Sequence, residues 1–400
     1  MIKNRDIIVY GLQPWDLNIA STCKYTAIEM SKHNRVLFVN PPLQRSFAIK
    51  HKDKPEVSKR LKIIKGEQLD LVQEGENMWV LYPRTIVESI NWIKSPSIFN
   101  FFNKMNDKRF GKKIKEAADK LNFSNYILFN DNSMINGFYL KEILNPSIFI
   151  YLLRDAVIHV AYHKRHGTRL QPQIIAKADF AVTNSDYFAE YAGQTNSNSF
   201  MIGQGCDLTM YNDDDGKLEV PEDLKAITKK PIIGYVGFLT TIRLDIEVLV
   251  HIAESRPDWS LVLVGPEDDD FKNSKLHELE NVYFLGRKDP DQLAAYIKGF
   301  DVALNPQKVN IITDINYPLK IDEYLAMGKP TVATKTTFMA YFKNECYLPS
   351  TKEEYVTEID KALKEDSDEL RKMRIDVAKS HSWENFVSKI YKYIEQFEQK

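Results

Sequence analysis

The feature that most constrains this chain is an alternation of strand and helix that runs once, breaks, and then starts again. A strand over 7–10 leads to a helix over about 21–32 and a strand over 36–40, closed by Pro41-Pro42. Further strands are expected at 79–82, 126–130, 148–153, 180–183 and 199–202. Helices are expected from about Asp107, around 136–144 and over 186–192. The stretch 212–230 loses this pattern: it opens near Asp213, Asp214, Asp215 and Gly216 and closes on Lys229, Lys230 and Pro231, which marks a linker. The alternation restarts with strands at 232–236, 260–264, 282–285, 302–305 and 331–334. Between them Ile246, Leu249, Val250 and Ala253 repeat at the spacing of a buried helix face, and helices read over 290–299 and 318–327. Two starts of one α/β grammar point to paired Rossmann-like domains, and 400 residues are ample for two.

Composition narrows the function classes. With 44% hydrophobic and 27% charged residues the chain has the apolar supply of a folded protein. A formal net charge of -1 leaves no overall nucleic-acid footprint. Cys23, Cys206 and Cys346 are too few and too far apart for a disulfide framework or a zinc motif, and packing is the role expected of each. The N-terminal start has no signal-peptide architecture and no stretch reaches transmembrane length, so a cytoplasmic protein is expected.

Two segments carry chemistry. In Gly234 to Asp245, Gly237 follows a strand directly, where the missing side chain lets a ligand approach the backbone. The helix after this turn offers free amides to phosphate oxygens, and Arg243 adds a cationic fork. A tight turn with a solvent-facing arginine explains the same letters. The Gly-x-Gly-x-x-Gly spacing of a dinucleotide site is absent. In Asn316 to Pro330, Lys320 and Glu323 lie three apart on one helix face. They are either an ordinary surface pair or a pair that meets phosphate charge and ribose hydroxyls.

Gly234 to Asp245, Trp259 to Gly265 and Pro318 to Pro330 together resemble the donor half of retaining GT-B glycosyltransferases of the glycosyl transferases group 1, family 4-like type. The nearest likeness is to bacterial members of teichuronic acid, capsule or exopolysaccharide synthesis. Tyr10 to Asp16, Arg35 to Pro42, Ala178 to Ser185, Gly205-Cys-Asp207 with Tyr211, and His381-Ser-Trp383 follow in the family's order. The resemblance implies an α/β GT-B architecture, two Rossmann-like domains facing a central cleft. Residues 1–211 would take the acceptor, 212–230 link, 231–380 hold the nucleotide sugar, and 381–400 form a helix packing back on the first domain. It implies that Gly237 lies by the diphosphate, that Thr240 is part of the donor site, that Arg243 and Lys320 contact phosphate, that Glu323 binds ribose and that Gly265 lies beside the base. Arg243 and Lys320 would then support the departing nucleoside diphosphate. No tightly bound cofactor and no metal are implied; the donor would be a UDP- or GDP-sugar. One departure stands out: relatives often carry a second glutamate eight residues before the position of Glu323, and here that residue is Ile315. Adjacent Asp314 does not have the spacing to replace it. The acidic runs Asp213 to Asp215 and Asp268 to Asp270 read as solvated loops.

In the first half, Arg154-Asp155-Ala-Val-Ile-His159 follows strand 148–153, at a carboxyl strand end where open α/β sheets bind ligands. The resemblance makes Asp155 a cleft-facing acid that orients an acceptor and His159 a contact of the transferred sugar; a capped helix with an ordinary imidazole explains the same residues. The expected acceptor is a glycan or lipid-linked glycan. The stretch 45–65 holds eight Lys or Arg against two acidic residues, with Lys104, Lys108, Arg109, Lys112, Lys113 and the aromatics Trp92, Phe99, Phe101 and Phe102 beyond it. Such a surface fits peripheral contact with the anionic cytoplasmic face of the inner membrane, or else a solvated face over core aromatics. The rival functions are a nucleotide-sugar epimerase, a catalytically weak GT-B-like binding protein and, less well supported, an oxidoreductase.

Overall fold

Each half of the chain builds its own parallel sheet. The computed structural model describes residues 2–16, 21–213, 215–311 and 313–399. Its strands in chain order are β1 Asp6–Gly11, β2 Arg35–Val39, β3 Leu43–Gln44, β4 Leu71–Gly75, β5 Met78–Leu81, β6 Ile86–Val87, β7 Ile127–Asp131, β8 Ile148–Leu153, β9 Phe180–Thr183, β10 Ser199–Met201, β11 Ile232–Val236, β12 Ser260–Val264, β13 Val282–Gly286, β14 Val302–Asn305 and β15 Thr331–Ala333. The chain divides into two compact units, Met1–Gly203 with Trp383–Lys400, and Gln204–Ser382.

In the first unit the strand order is β10-β9-β8-β7-β1-β2-β5-β4, parallel except where β4 runs against β5. The order reverses between β1 and β7, so their carboxyl ends, Gly11 and Asp131, flank a topological switch point. β1 and β8 are buried at every position, which is why 7–10 and 148–153 read in the sequence as apolar runs. The helix Trp383–Glu398 belongs to this unit. Its Tyr393 ring stacks on Phe200 with centroids 4.0 Å apart. Lys389 Nζ donates to the Ile202 carbonyl at 2.9 Å, and the Tyr391 hydroxyl accepts from Asn34 Nδ2 at 2.8 Å.

The helix Pro96–Lys120 begins eleven residues before the expected start at Asp107. Proline supplies its first position, where no intrahelical N–H bond is lost. Buried Asn103 and Asn106 interrupt its apolar periodicity, and the side-chain amide of each donates to a backbone carbonyl, of Ile135 and Glu88 respectively. The basic stretch 45–65 forms two helices, Arg45–Lys50 and Pro55–Lys65, the second ended by Gly66 at φ 86°.

In the second unit the order is β13-β12-β11-β14-β15, all parallel, with its switch point between β11 and β14. The helix Ile246–Ser255 is started by Asp245, whose carboxylate accepts the N–H groups of Glu247 and Val248 at 3.0 and 3.4 Å, a cap worth about 1 kcal/mol. The stretch 212–230 is not a bare tether: Leu224 and Ile227 are buried in the core of this unit, and Leu224 packs over Gly299. Asp213 departs from the solvated-loop expectation, because its carboxylate is nearly enclosed, ion-paired with Lys298 at 2.5 Å and hydrogen-bonded by the Leu218 amide. Asp214 lies outside the described residues, and Asp215 is exposed.

Candidate functional site

The carboxyl end of β11 is where the second unit gathers its unusual residues. Gly237 has φ 145° and donates its N–H to the Val264 carbonyl at 2.8 Å. Leu239 then donates to the Pro266 carbonyl and Asp268 to that of Leu239, each at 2.9 Å. The loops after β11 and β12 are thereby zipped together. Gly265, at φ 150°, has no room for a side chain because the Gly237 carbonyl fills that space. Thr240 is buried, and its carbonyl receives the amides of Arg243 and Leu244. Asp268 is a structural cap rather than part of a solvated loop: it accepts from the Phe271 and Thr241 amides, both at 2.9 Å. Asp269 and Asp270 are exposed, as expected.

Arg243 is exposed on the turn that follows, and its carbonyl accepts the Lys308 amide at 2.8 Å. Asp245 donates its amide to the Pro306 carbonyl, so this turn is tied to the loop after β14, across the switch point. Among the described residues neither Arg243 nor Lys320 has an ion-pair partner. Two cations without a salt bridge in one region favour an anionic ligand.

Lys320 and Glu323 stand on the helix Leu319–Ala326, which sends Ile321, Tyr324 and Leu325 into the core. Tyr324 anchors it by accepting the Val236 amide at 3.1 Å. The Lys320 ammonium lies 5.7 Å from the centre of the Tyr235 ring, and the end of its side chain covers the bare Cα of Gly237. Burial pushes the Glu323 carboxyl up, opposed by the Lys320 charge and by the Tyr211 hydroxyl, which donates to it. The expected pair of Lys320 and Glu323 is therefore not a solvated surface pair. Ile315 is buried, and Asp314 beside it is engaged elsewhere, accepting from the Thr337 amide at 2.8 Å and hydroxyl at 2.9 Å.

On the opposite side of the same helix, buried Asp322 accepts from His381 Nδ1 at 2.7 Å. The hydroxyl of Tyr317 lies 3.4 Å from that nitrogen, and the hydroxyl of Tyr341 lies 3.4 Å from Nε2. Sequence reading missed this cluster, as it missed the Tyr211 contact to Glu323. Both residues lay in segments noted only for their order along the chain.

Asp155 and His159 belong to the first unit. Arg154 pairs with both Asp155 and fully buried Asp131, meeting Asp131 through Nε at 2.7 Å and Nη2 at 3.2 Å. Burial pushes the Asp131 carboxyl up, and the Arg154 charge and hydrogen bonds oppose this. Sequence reading missed Asp131, which ends an apolar strand and carries no motif. His159 ends the short turn Val157–His159 and is half-buried. His166 stacks on Phe99 with centroids 3.6 Å apart, so Phe99 is a core residue and not a surface aromatic. A crevice of about 240 Å³ opens at this unit's switch point, lined by Gly11, Pro41, Asn132, Ser133, Tyr162 and His163.

All three cysteines are free and buried, and burial pushes each thiol up, so none is a prepared nucleophile. Among the described residues no group of three or more His, Cys, Asp or Glu is disposed to hold a metal ion. Among them, too, no helix is long and apolar enough to cross a membrane.

Residues 230–365 match the family described as glycosyl transferases group 1. A teichuronic acid biosynthesis glycosyltransferase of Bacillus subtilis (strain 168) is 26% identical over 235 residues, 55% of this chain and 58% of that protein. The match thus spans little more than half of that relative. Sucrose-phosphate synthase from Thermosynechococcus elongatus superposes with a TM-score of 0.67 at 14% identity, covering 98% of this chain and 99% of the other. Anabaena HepE in complex with UDP gives 0.66 at 13%, covering 98% and 100%. The matched region contains Gly237, Thr240, Arg243, Gly265, Lys320 and Glu323. With both sheets built as that architecture requires, the chain has the GT-B fold, and its residues 230–365 are similar to the group 1 glycosyltransferases.

Proposed function

We propose that this protein transfers a sugar from a nucleoside diphosphate donor, UDP- or GDP-linked, to a glycan or lipid-linked glycan during bacterial surface polysaccharide synthesis. The observation that carries the reading is the second unit's switch point, where Lys320 covers Gly237 and stands near the half-buried carboxylate of Glu323, with exposed Arg243 on the same turn as Gly237 and neither cation in a salt bridge among the described residues. Anionic diphosphate suits the cations, Lys320 lying over the backbone of Gly237 can meet it there near Thr240, and a carboxylate accepts from ribose hydroxyls. Gly265, which shapes the neighbouring loop, borders the base. The relatives' names support the same chemistry: one is a teichuronic acid glycosyltransferase and another holds UDP.

As the glycosidic bond to the donor breaks, negative charge grows on the departing diphosphate. Arg243 and Lys320 stabilise that charge in place, with no cation recruited from solvent. In the first unit Asp155 orients the acceptor hydroxyl and His159 contacts the sugar. Retention of anomeric configuration and independence of metal follow from the family likeness. So does work in the cytoplasm, with peripheral contact at the anionic inner face of the membrane.

Calorimetric titration with UDP, GDP and dTDP tests the donor half, followed by product analysis with the matching sugar. Sugar found on an acceptor supports transfer. Isomerised free donor would establish an epimerase, and no binding of any nucleotide would leave a scaffold.

A further inference from the structure

A groove of about 1010 Å³ opens on the first unit between the helix Arg45–Lys50, the segment 88–95 and the helix Pro96–Lys120. Ile49, Ile90, Trp92, Ile98, Phe102 and Met105 make it apolar. Three of these side chains are left largely in solvent: Trp92 at 72%, Ile49 at 69% and Ile98 at 52% exposure. Large apolar groups gathered around one hollow mark a binding surface, whereas scattered ones do not. The indole N–H of Trp92 already donates to the Ser89 carbonyl at 2.8 Å. An apolar occupant therefore strands no donor there.

The rim is cationic. Exposed Lys50 and Lys94 line the groove, and among the described residues neither has an ion-pair partner. Glu88, the acidic residue of the lining, is neutralised twice, by Arg45 at 2.7 Å and Arg109 at 3.3 Å. A second hollow of about 530 Å³ shares Ser46 and Lys50 with the groove. That hollow shares Pro41, Pro42, Gln44 and Tyr162 with the crevice at the switch point of this unit.

We propose that the groove seats the hydrocarbon chain of a lipid phosphate, that Lys50 and Lys94 meet its anionic headgroup, and that what the phosphate carries extends along 41–46 into the crevice. Apolar walls, two lysines without a salt bridge among the described residues, and neighbouring hollows that share lining residues as far as polar Asn132 and Ser133 match an amphiphile. This rests on the transferase reading and names its acceptor class: a sugar-accepting lipid phosphate drawn from a membrane.

Dodecyl phosphate, below its micellar concentration, is the probe, titrated calorimetrically into the full chain beside inorganic phosphate and neutral dodecyl maltoside. Wild-type protein is expected to bind dodecyl phosphate, to ignore inorganic phosphate and to bind the maltoside about tenfold more weakly or worse. Ile98→Glu and the double variant Lys50→Glu, Lys94→Glu should each weaken dodecyl phosphate about tenfold while UDP binding stays unchanged. Absence of binding to wild type, equal binding by both variants, or equal affinity for the maltoside overturns the proposal. Protein that binds UDP but not dodecyl phosphate loses the groove assignment and keeps the transferase reading. Protein that binds dodecyl phosphate but no nucleotide keeps the seat and loses the acceptor role.

Discussion

The carbonyl of Gly237 occupies the space that a side chain on Gly265 would need. The two glycines are therefore not equivalent, although both have positive φ. Gly265→Ala sets a methyl group against backbone, so both loops must part. Gly237→Ala meets the flexible end of Lys320 and the Tyr235 hydroxyl. Both substitutions carry backbone strain of about 1–3 kcal/mol. Gly265→Ala should lose more stability in urea unfolding, whereas Gly237→Ala should lose more UDP affinity through the displaced ammonium. The reverse order in either measurement would contradict the geometry.

Arg243→Ala, Lys320→Ala and Glu323→Ala should each weaken UDP binding by about 1–3 kcal/mol, as expected for charge-assisted contacts, with unfolding midpoints near wild type for Arg243→Ala. Unaltered nucleotide affinity in all three would remove the donor site from this strand end.

Against its burial, Lys320 and Tyr211 both hold the Glu323 carboxyl down. Burial raises the Glu323 carboxyl, so binding that needs the carboxylate is acquired as pH rises through the raised value. The Tyr211 hydroxyl opposes the rise. Tyr211→Phe should move the pH midpoint of UDP affinity upward, measured by calorimetry between about pH 5 and 8. A superimposable profile would show that Glu323 does not titrate with binding.

Arg154→Met leaves fully buried Asp131 without its counter-charge and should cost about 3–5 kcal/mol in unfolding free energy. Asp155→Asn, at a partly exposed carboxylate, should cost under about 1 kcal/mol. If Asp155 orients the acceptor, this variant loses turnover at unchanged UDP affinity. Wild-type turnover would return it to a structural role.

Lys329 gives a stability signature of its own. Its ammonium donates to the carbonyls of Lys298 at 2.7 Å and Phe300 at 2.8 Å, yet burial pushes its pKa down to about 8 from 10.5. Between those values the unfolded chain binds more protons than the folded one, so stability rises with pH across that window. Lys329→Met should flatten the slope relative to wild type in denaturant titrations, and an unchanged slope would assign it to other groups.

The strands at 148–153, 180–183, 232–236, 260–264 and 302–305 fall where the sequence predicts them, because strands buried on both faces are written as near-continuous apolar runs. The helix Pro96–Lys120 was half hidden, because Asn103 and Asn106 are buried for their backbone partners and so break the period. Lys320 and Glu323 were legible as one face of one helix. Contacts that close over long separations carry no local signal. Asp322 meets His381 across 59 residues, and Asp131 meets Arg154 across 23. The burial that changes the character of Glu323 is likewise supplied by other segments.

The helix Trp383–Glu398 has a consequence for the order in which the protein is made. Its Tyr391 and Tyr393 complete the first unit against Asn34 and Phe200, yet they leave the ribosome after all of Gln204–Ser382. The second unit, uninterrupted in sequence, can finish folding while the first still lacks a piece. During translation the nascent first unit waits with the surface around Phe180 and Phe200 uncovered until Tyr393 and Phe397 arrive.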